Sequence, residues 1–325
     1  MIRPRRLRGS PAIRAMVRET RAGADDLVWP VFVHDGRGCE PIAALPGVER
    51  LDLDGVARAA RRAQALGIRA LALFPRIPDA LKDPAGSRAA DADGLVPRAI
   101  AAAKGAAPDV LVITDVALDP YSSLGHDGVV EAGRIANDAT VVRLAEQALC
   151  HARAGADIVA PSDMMDGRVG AIRRRLDDAG FGEVLILSYA VKYASSLYGP
   201  FRHALDSAPR ALDGVPRDKR TYQMDPANAR EALREAALDE AEGADLLMVK
   251  PGLHYLDIIH RLRQATALPI AAYHVSGEYA MLEAAAAAGA LDRDAAHLET
   301  LTAFRRAGAD LILTYAAPRL AELLT

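Results

Sequence analysis

The chain of 325 residues has few lysines, very few cysteines and no long apolar run. Two cysteines, Cys39 and Cys150, are too few for a disulfide framework or a structural zinc site, and neither stands in a motif that would make it a nucleophile. A reducing, cytoplasmic setting is therefore expected. No hydrophobic stretch approaches the roughly 18 to 20 residues needed to span a bilayer. A net charge of −3 and a pI near 6.3 leave no general attraction to nucleic acid or to a membrane, so neither is expected as a partner. Neither GxGxxG nor GxxxxGK[ST] occurs, so the usual glycine fingerprints for dinucleotides and nucleotide phosphates are missing. No organic cofactor is expected.

The scarcity of lysine is the most informative of these absences. Of 40 basic residues only five are lysine (Lys82, Lys104, Lys192, Lys219 and Lys250), against 35 arginines. Two of the five lie at the ends of hydrophobic runs that read as buried strands, VLILSYAVK closing on Lys192 and ADLLMVKPG containing Lys250. Arginine cannot lose its proton near neutral pH, whereas a poorly solvated lysine can become a neutral amine that attacks a carbonyl. Two such lysines point to Schiff-base chemistry.

At 51% hydrophobic residues the chain can bury a large core, and its length fits one α/β barrel or two smaller domains. Eight candidate strands are read: IRALALFP from Ile68, DVLVITDV from Asp109, ADIVAPSD from Ala156, EVLILSYA from Glu183, RTYQMD from Arg220, ADLLMVKP from Ala244, PIAAYHVSG from Pro269 and ADLILTYAAP from Ala309. Most are continuously apolar, as in parallel strands covered on both faces. The alanine-, leucine- and arginine-rich segments between them have helical spacing, and two close on Gly-Ala-Asp, which reads as a helix C-cap followed by strand entry. Repeated strand–helix units with eight strands predict a (β/α)8 TIM barrel. Asp115, Asp163, Lys192, Lys250, Ser276 and Tyr315 then gather at the C-terminal strand ends, where barrel enzymes carry their active sites. Two long connections, residues 119–138 and 198–220, read as ligand-binding segments or lids. The arginine-rich leader lacks the apolar core of a secretory signal and reads as a solvated or subunit-contacting arm. The division expected is residues 1–30 as an extended N-terminal oligomerisation arm and 31–325 as the catalytic barrel.

Several long, ordered segments resemble the porphobilinogen synthase (5-aminolevulinate dehydratase) family over nearly the whole chain: SPAIRAMVRET, ITDVALDPYSSLGHDG, GADIVAPSDMMDGRVGAIR, YAVKYASSLYGPFR, TYQMDPANAREALREAALDEAEGADLLMVKPG and VSGEYAM. The resemblance implies a (β/α)8 barrel, usually in a homo-octamer, whose arm wraps a neighbouring subunit. It implies an asymmetric condensation of two 5-aminolevulinate molecules to porphobilinogen with loss of two waters. By matching positions, Lys250 and Lys192 would hold the two ketones as Schiff bases, and Asp115 would transfer protons. Ser276 and Tyr315 would bind the carboxylate of the P-side substrate, with Gln223 beside them, and Arg202 in the lid would bind that of the A-side substrate.

Zinc-dependent members of the family carry cysteines where this chain has Ala117, Asp119 and Asp127, so a zinc-independent enzyme is expected. Asp119 and Asp127 offer hard oxygens that favour magnesium, or no ion at all. Glu235 matches the glutamate of a remote, largely water-held magnesium site. His126 reads as a hydrogen-bonding residue. Three positions depart from the common family pattern: Leu124, His274 and, in the lid, Lys219 where an arginine usually follows the aspartate. Either Lys219 acts there as a point charge or Arg220 swings in. These departures leave open a weakly active or inactive paralogue with a structural or regulatory role, and an aldolase-like lyase needing one Schiff-base lysine.

Overall fold

In the computed structural model, which describes residues 1–324, eight parallel strands close into a barrel. They are β1 (Leu27–His34), β2 (Ala70–Arg76), β3 (Leu111–Val116), β4 (Ile158–Pro161), β5 (Leu185–Lys192), β6 (Leu246–Lys250), β7 (Ile270–Tyr273) and β8 (Leu311–Leu313). Each pairs with the next, and β8 returns to β1 through Leu27↔Ile312 and Val28↔Leu313. The covering helices are α1 (Leu53–Ala65), α2 (Leu95–Ala106), α3 (Asn137–Arg153), α4 (Arg168–Asp178), α5 (Gly199–Leu205), α6 (Arg230–Ala241), α7 (Leu256–Ala265), α8 (Ser276–Ala287), α9 (Arg293–Ala307) and α10 (Ala317–Leu324). With helices outside, the strands are buried on both faces, which is why they read as unbroken apolar runs.

The Gly-Ala-Asp segments tie the lower rim of the barrel together. Gly155 and Gly243 follow α3 and α6 with φ of 99° and 102°, the left-handed conformation that ends a helix. The aspartate of each motif then accepts the first backbone N–H groups of the preceding strand. Asp157 takes Val112 N at 2.7 Å, Asp245 takes Ile186 N at 2.7 Å, and Asp310, in a third such motif, takes Ile270 N at 2.8 Å. A sequence signature read as a helix stop thus also fixes strand entry.

Two strand assignments are corrected. LVWPVFVH, not among the eight candidate strands, is β1, while RTYQMD, counted among them, is a turn segment making a single bridge, Tyr193↔Met224. Pro30 stands inside β1. It lies beyond the residues of β1 that pair with β8, so its missing N–H interrupts no ladder on that side. RTYQMD lacks the apolar character of its neighbours and serves the site instead. The barrel also begins at Leu27, earlier than the expected division after residue 30.

Before it, a 3-10 turn (Pro4–Arg8) and a short helix (Pro11–Met16), capped by Ser10 Oγ accepting Ile13 N at 3.2 Å, bury none of their residues. Met1, Ile2, Leu7, Met16 and Val17 are all exposed there.

Candidate active site

Lys192 closes β5 and Lys250 closes β6, and the two are direct partners in the parallel ladder. Adjacent strands lie about 4.8 Å apart, so both side chains leave the same level of the barrel mouth. Both are buried. The Lys250 Nζ sits among aromatic rings, 4.6 Å from the centroid of Tyr273, 4.9 Å from those of Tyr189 and Phe201, and 5.4 Å from that of Tyr198. No carboxylate among the described residues pairs with it. Burial, followed by the neighbouring Lys192, lowers its pKa to about 7, with Asp115 opposing. Lys192 donates to the carbonyl of Ser162 and lies 3.6 Å from Asp127 Oδ2.

Asp115, on β3, is raised to about 7 by burial and then by Asp119, against the pull of Lys250 and a hydrogen bond from Ser162. Its Oδ1 has no partner. A buried amine and a buried carboxyl that both titrate near neutrality are suited to passing protons. Asp163, the other strand-end acid singled out in the sequence, faces away from this pair: its Oδ1 accepts Met165 N at 2.7 Å and its Oδ2 lies 3.7 Å from Arg168 Nε. Burial pushes it up to about 6.

The lid closes over the lysines. Asp119, Lys192, Tyr198, Phe201, Arg202, Ser207, Lys219, Gln223 and Lys250 enclose a cavity of about 20 Å³. That space holds one water at most, so a substrate enters only when the lid moves. A larger cleft of about 360 Å³ lies against α1, α9 and α10 and contains none of the lysines. The size of the central cavity reflects closure, so chemistry and not volume locates the site.

Lys219 resolves the two alternatives posed by the lid sequence. Its Nζ donates to Asp127 Oδ1 at 2.9 Å and Asp119 Oδ2 at 3.1 Å, whereas Arg220 points outward, 81% exposed, beside Asp218. The expectation that Arg220 lines the site is corrected, because the turn at Lys219 and Tyr222 brings only the lysine inward. Burial raises Asp119, with Lys219 pulling it down. Burial likewise opposes the charge on Asp127, but Lys192 and Lys219 together outweigh it and hold that carboxyl well below the usual range.

Asp119 and Asp127, expected to offer hard oxygens to an ion, lie on either side of Lys219. An ammonium bridges the two carboxylates, and no group of three or more His, Cys, Asp or Glu residues among the described residues converges as metal ligands. Glu235, on α6, is half-buried and raised first by burial and then by Asp239. With Asp166 and Glu231 it lines a cleft of about 300 Å³ apart from the lysines. That room is enough for a hydrated cation held through water, and among the described residues no three such acids converge to coordinate one directly.

Ser276 Oγ, at the start of α8, accepts Phe201 N at 3.0 Å and donates to Leu197 O at 3.2 Å, so it meets the lid. Tyr315 Oη lies 3.1 Å from Tyr273 Oη, beside the ring nearest Lys250. Gln223 is buried with its Oε1 unpartnered, and Arg202 lines the cavity with its guanidinium 6.0 Å from the Tyr198 ring. His126 bridges Pro216 O at 2.8 Å and Tyr222 Oη at 3.1 Å, a hydrogen-bonding role. His274 bonds Thr314 Oγ1 at 3.0 Å and burial lowers it to about 3, so it is a neutral core residue. The aromatic surround of Lys250 and the contact of Lys192 with Ser162 are absent from the sequence reading. Tyr189, Tyr198, Phe201 and Tyr273 come from three separate segments, with no shared periodicity that would group them.

Comparisons with known proteins bear on the family and the fold. The family model described as delta-aminolevulinic acid dehydratase matches residues 1–323. A chloroplastic delta-aminolevulinic acid dehydratase of Physcomitrium patens is 56% identical over 324 residues, spanning 99% of this chain and 74% of that protein. The delta-aminolevulinic acid dehydratase of Bradyrhizobium diazoefficiens is 55% identical over 324 residues, spanning 99% of this chain and 91% of that protein. A crystal structure of the delta-aminolevulinic acid dehydratase (porphobilinogen synthase) of Toxoplasma gondii ME49 with its product porphobilinogen superimposes with a TM-score of 0.96. It is 52% identical and covers 99% of this chain and 91% of that one. These names correct the expectation of a cytoplasmic location, since the relatives from Physcomitrium patens, Oryza sativa subsp. japonica and Arabidopsis thaliana are named chloroplastic. Scarce cysteine speaks to redox conditions and does not separate one reducing compartment from another. By fold, sequence and extent of match, this chain belongs to the delta-aminolevulinic acid dehydratase family.

Proposed function

We propose that this barrel is a hydro-lyase of tetrapyrrole biosynthesis, condensing two molecules of 5-aminolevulinate into porphobilinogen with net loss of two waters. The observation that carries the reading is the pairing of Lys192 with Lys250 at one level of the mouth, with Lys250 at a pKa of about 7. In its neutral form Lys250 attacks the ketone carbon of one substrate; with one proton supplied by the neutral form of Asp115, water leaves and an iminium forms. Lys192 holds the second ketone in the same way. The iminium withdraws electrons, so an adjacent carbon loses a proton and can form the new C–C bond. Asp115, near neutrality in its own pKa, accepts and returns protons.

In this reading Ser276, Tyr315 and Gln223 hold the carboxylate of the substrate on Lys250, and Arg202 and Lys219 attract that of its partner. Lys219 contributes a point charge where a guanidinium would contribute a fork. It also supplies the positive charge between Asp119 and Asp127, which favours a zinc-independent site. A remote magnesium beside Glu235, held largely through water, would act allosterically, and the exposed arm would dock on a neighbouring subunit in a homo-octamer.

The test is borohydride reduction in the presence of 5-aminolevulinate, followed by mass spectrometry, alongside pyrrole formation assayed with chelator, magnesium or zinc. Adducts on Lys192 and Lys250 with pyrrole formed without zinc are expected. Unmodified lysines together with no pyrrole would end the proposal, and activity that collapses without zinc would end its zinc-independent part.

A further inference from the structure

Three of the five lysines meet in the site and Lys104 pairs with Asp157 at the base of the barrel. Lys82 is left, and it too is buried: its side chain is 1% exposed, although it follows β2 in a surface loop. Its Nζ donates to Asp206 O at 2.8 Å and lies 3.0 Å from Asp79 Oδ1 and 3.8 Å from Asp206 Oδ2. Asp206 is the residue that ends α5, with a left-handed φ of 53°. From the segment before α1, Arg50 reaches the same helix end. Its Nε donates to Ala204 O at 2.6 Å and its Nη2 to His203 O at 3.0 Å. The last carbonyls of a helix have no partner within it and carry its negative end, so a cation there is favourable twice over. Here two cations, from two different barrel segments, take three consecutive or nearly consecutive carbonyls of one short helix.

That helix is part of the lid over the lysine cavity. It carries Arg202, and just past the latch Ser207 lines the lysine cavity with its Oγ buried and unpartnered. Beyond it, Arg210 lies 3.4 Å from Asp79 Oδ1 and 3.6 Å from Asp206 Oδ2, and Arg210 N donates to Leu124 O at 3.0 Å. The lid is thus held from the β1 and β2 sides of the barrel mouth, opposite the Ser276 contact at its other end.

We propose that Arg50 and Lys82 are positioning residues that latch the C-terminal end of α5, holding Arg202 and Ser207 over the bound substrate. They touch no reacting atom. Their effect is on how tightly the closed lid retains substrate, and so on KM more than on kcat.

The inference rests on the proposed condensation for its kinetic readout, and amide hydrogen exchange tests the latch without it. In Lys82→Met and Arg50→Gln, KM for 5-aminolevulinate should rise about tenfold with kcat within about twofold, the scale of a lost hydrogen bond from a charged donor. Exchange at residues 203–210 should quicken while that of β5 and β6 is unchanged, and Lys82→Arg should restore most of both. Should Lys82→Met fail to fold, Arg50→Gln, at the rim of the lid, decides alone. Unchanged exchange at 203–210, or an unchanged KM in a protein that makes pyrrole, would overturn the latch. A parent protein that makes no pyrrole, yet shows the exchange difference, would keep the latch and reject the condensation.

Discussion

Replacing Lys219 by methionine tests the electrostatic account of the site most directly. In the folded protein its Nζ lies 2.9 Å from Asp127 and 3.1 Å from Asp119, and all three side chains are less than 10% exposed. At an effective dielectric of about 20, unit charges about 3 Å apart attract by about 5 kcal/mol. Removing one member of a buried pair characteristically destabilises by about 3–5 kcal/mol, because the remaining charge is stranded. Lys192, 3.6 Å from Asp127, still compensates that carboxylate, so Asp119 bears most of the loss.

The pH dependence has a definite sign. Asp127, depressed in the folded state, contributes stability that is present above its unfolded pKa of about 3.9 and lost as pH falls through the folded value. In Lys219→Met that contribution shrinks, and Asp119, already raised by burial, rises further. The folded variant then binds protons that the unfolded chain does not, and its deficit grows as pH rises. Urea unfolding at fixed protein concentration should show a deficit of about 3–5 kcal/mol at pH 7, narrowing to about 1 kcal/mol near pH 4. An equal deficit at both pH values, or one below about 1 kcal/mol at pH 7, would refute the bridging role.

Four further outcomes are expected. Lys250→Met should lower kcat by at least about a thousandfold and abolish the borohydride adduct at that position. It should leave the urea midpoint equal or higher, since a poorly solvated amine is replaced by an apolar side chain among rings. The kcat/KM of the parent should rise with pH through about 7 as Lys250 loses its proton. In Lys192→Met the residual Schiff-base formation, read by trapping at Lys250, should need a higher pH, because the neighbouring positive charge no longer disfavours protonation; an unmoved midpoint would contradict the coupling. Arg168, whose two terminal nitrogens each lie 3.0 Å from a separate oxygen of Asp239 in the core, should cost about 3–5 kcal/mol as Arg168→Met in urea unfolding. Arg168→Lys should recover only part, since an ammonium cannot make the forked contact.

The legibility of the site followed the kind of signal each residue leaves. Lys192 and Lys250 could be singled out because an arginine-rich chain keeps lysine at two strand ends, and a strand end in a parallel barrel has a fixed direction. Arg202, Lys219 and Gln223 stand in matching motifs, but which of Lys219 and Arg220 turns inward is set by the turn that closes on Lys219 O. β1 is absent from the strands read in the sequence; it contains Pro30, and a proline weighs against a strand locally while a closed sheet tolerates it where no partner needs the N–H. The acids show the strongest dependence on folding. Asp119 and Asp127 read locally as hard oxygen ligands, and the fold sets between them a lysine some 90 to 100 residues away in sequence.

By itself, then, the sequence determined the barrel, its repeating Gly-Ala-Asp rim and the two strand-end amines, because periodicity, helix stops and residue choice are written locally. Tertiary structure decided which charges face one another, which carboxyl titrates near neutrality and which cations seat the lid. Those properties come from burial and from distances across strands and loops remote in the chain, and no local pattern encodes them.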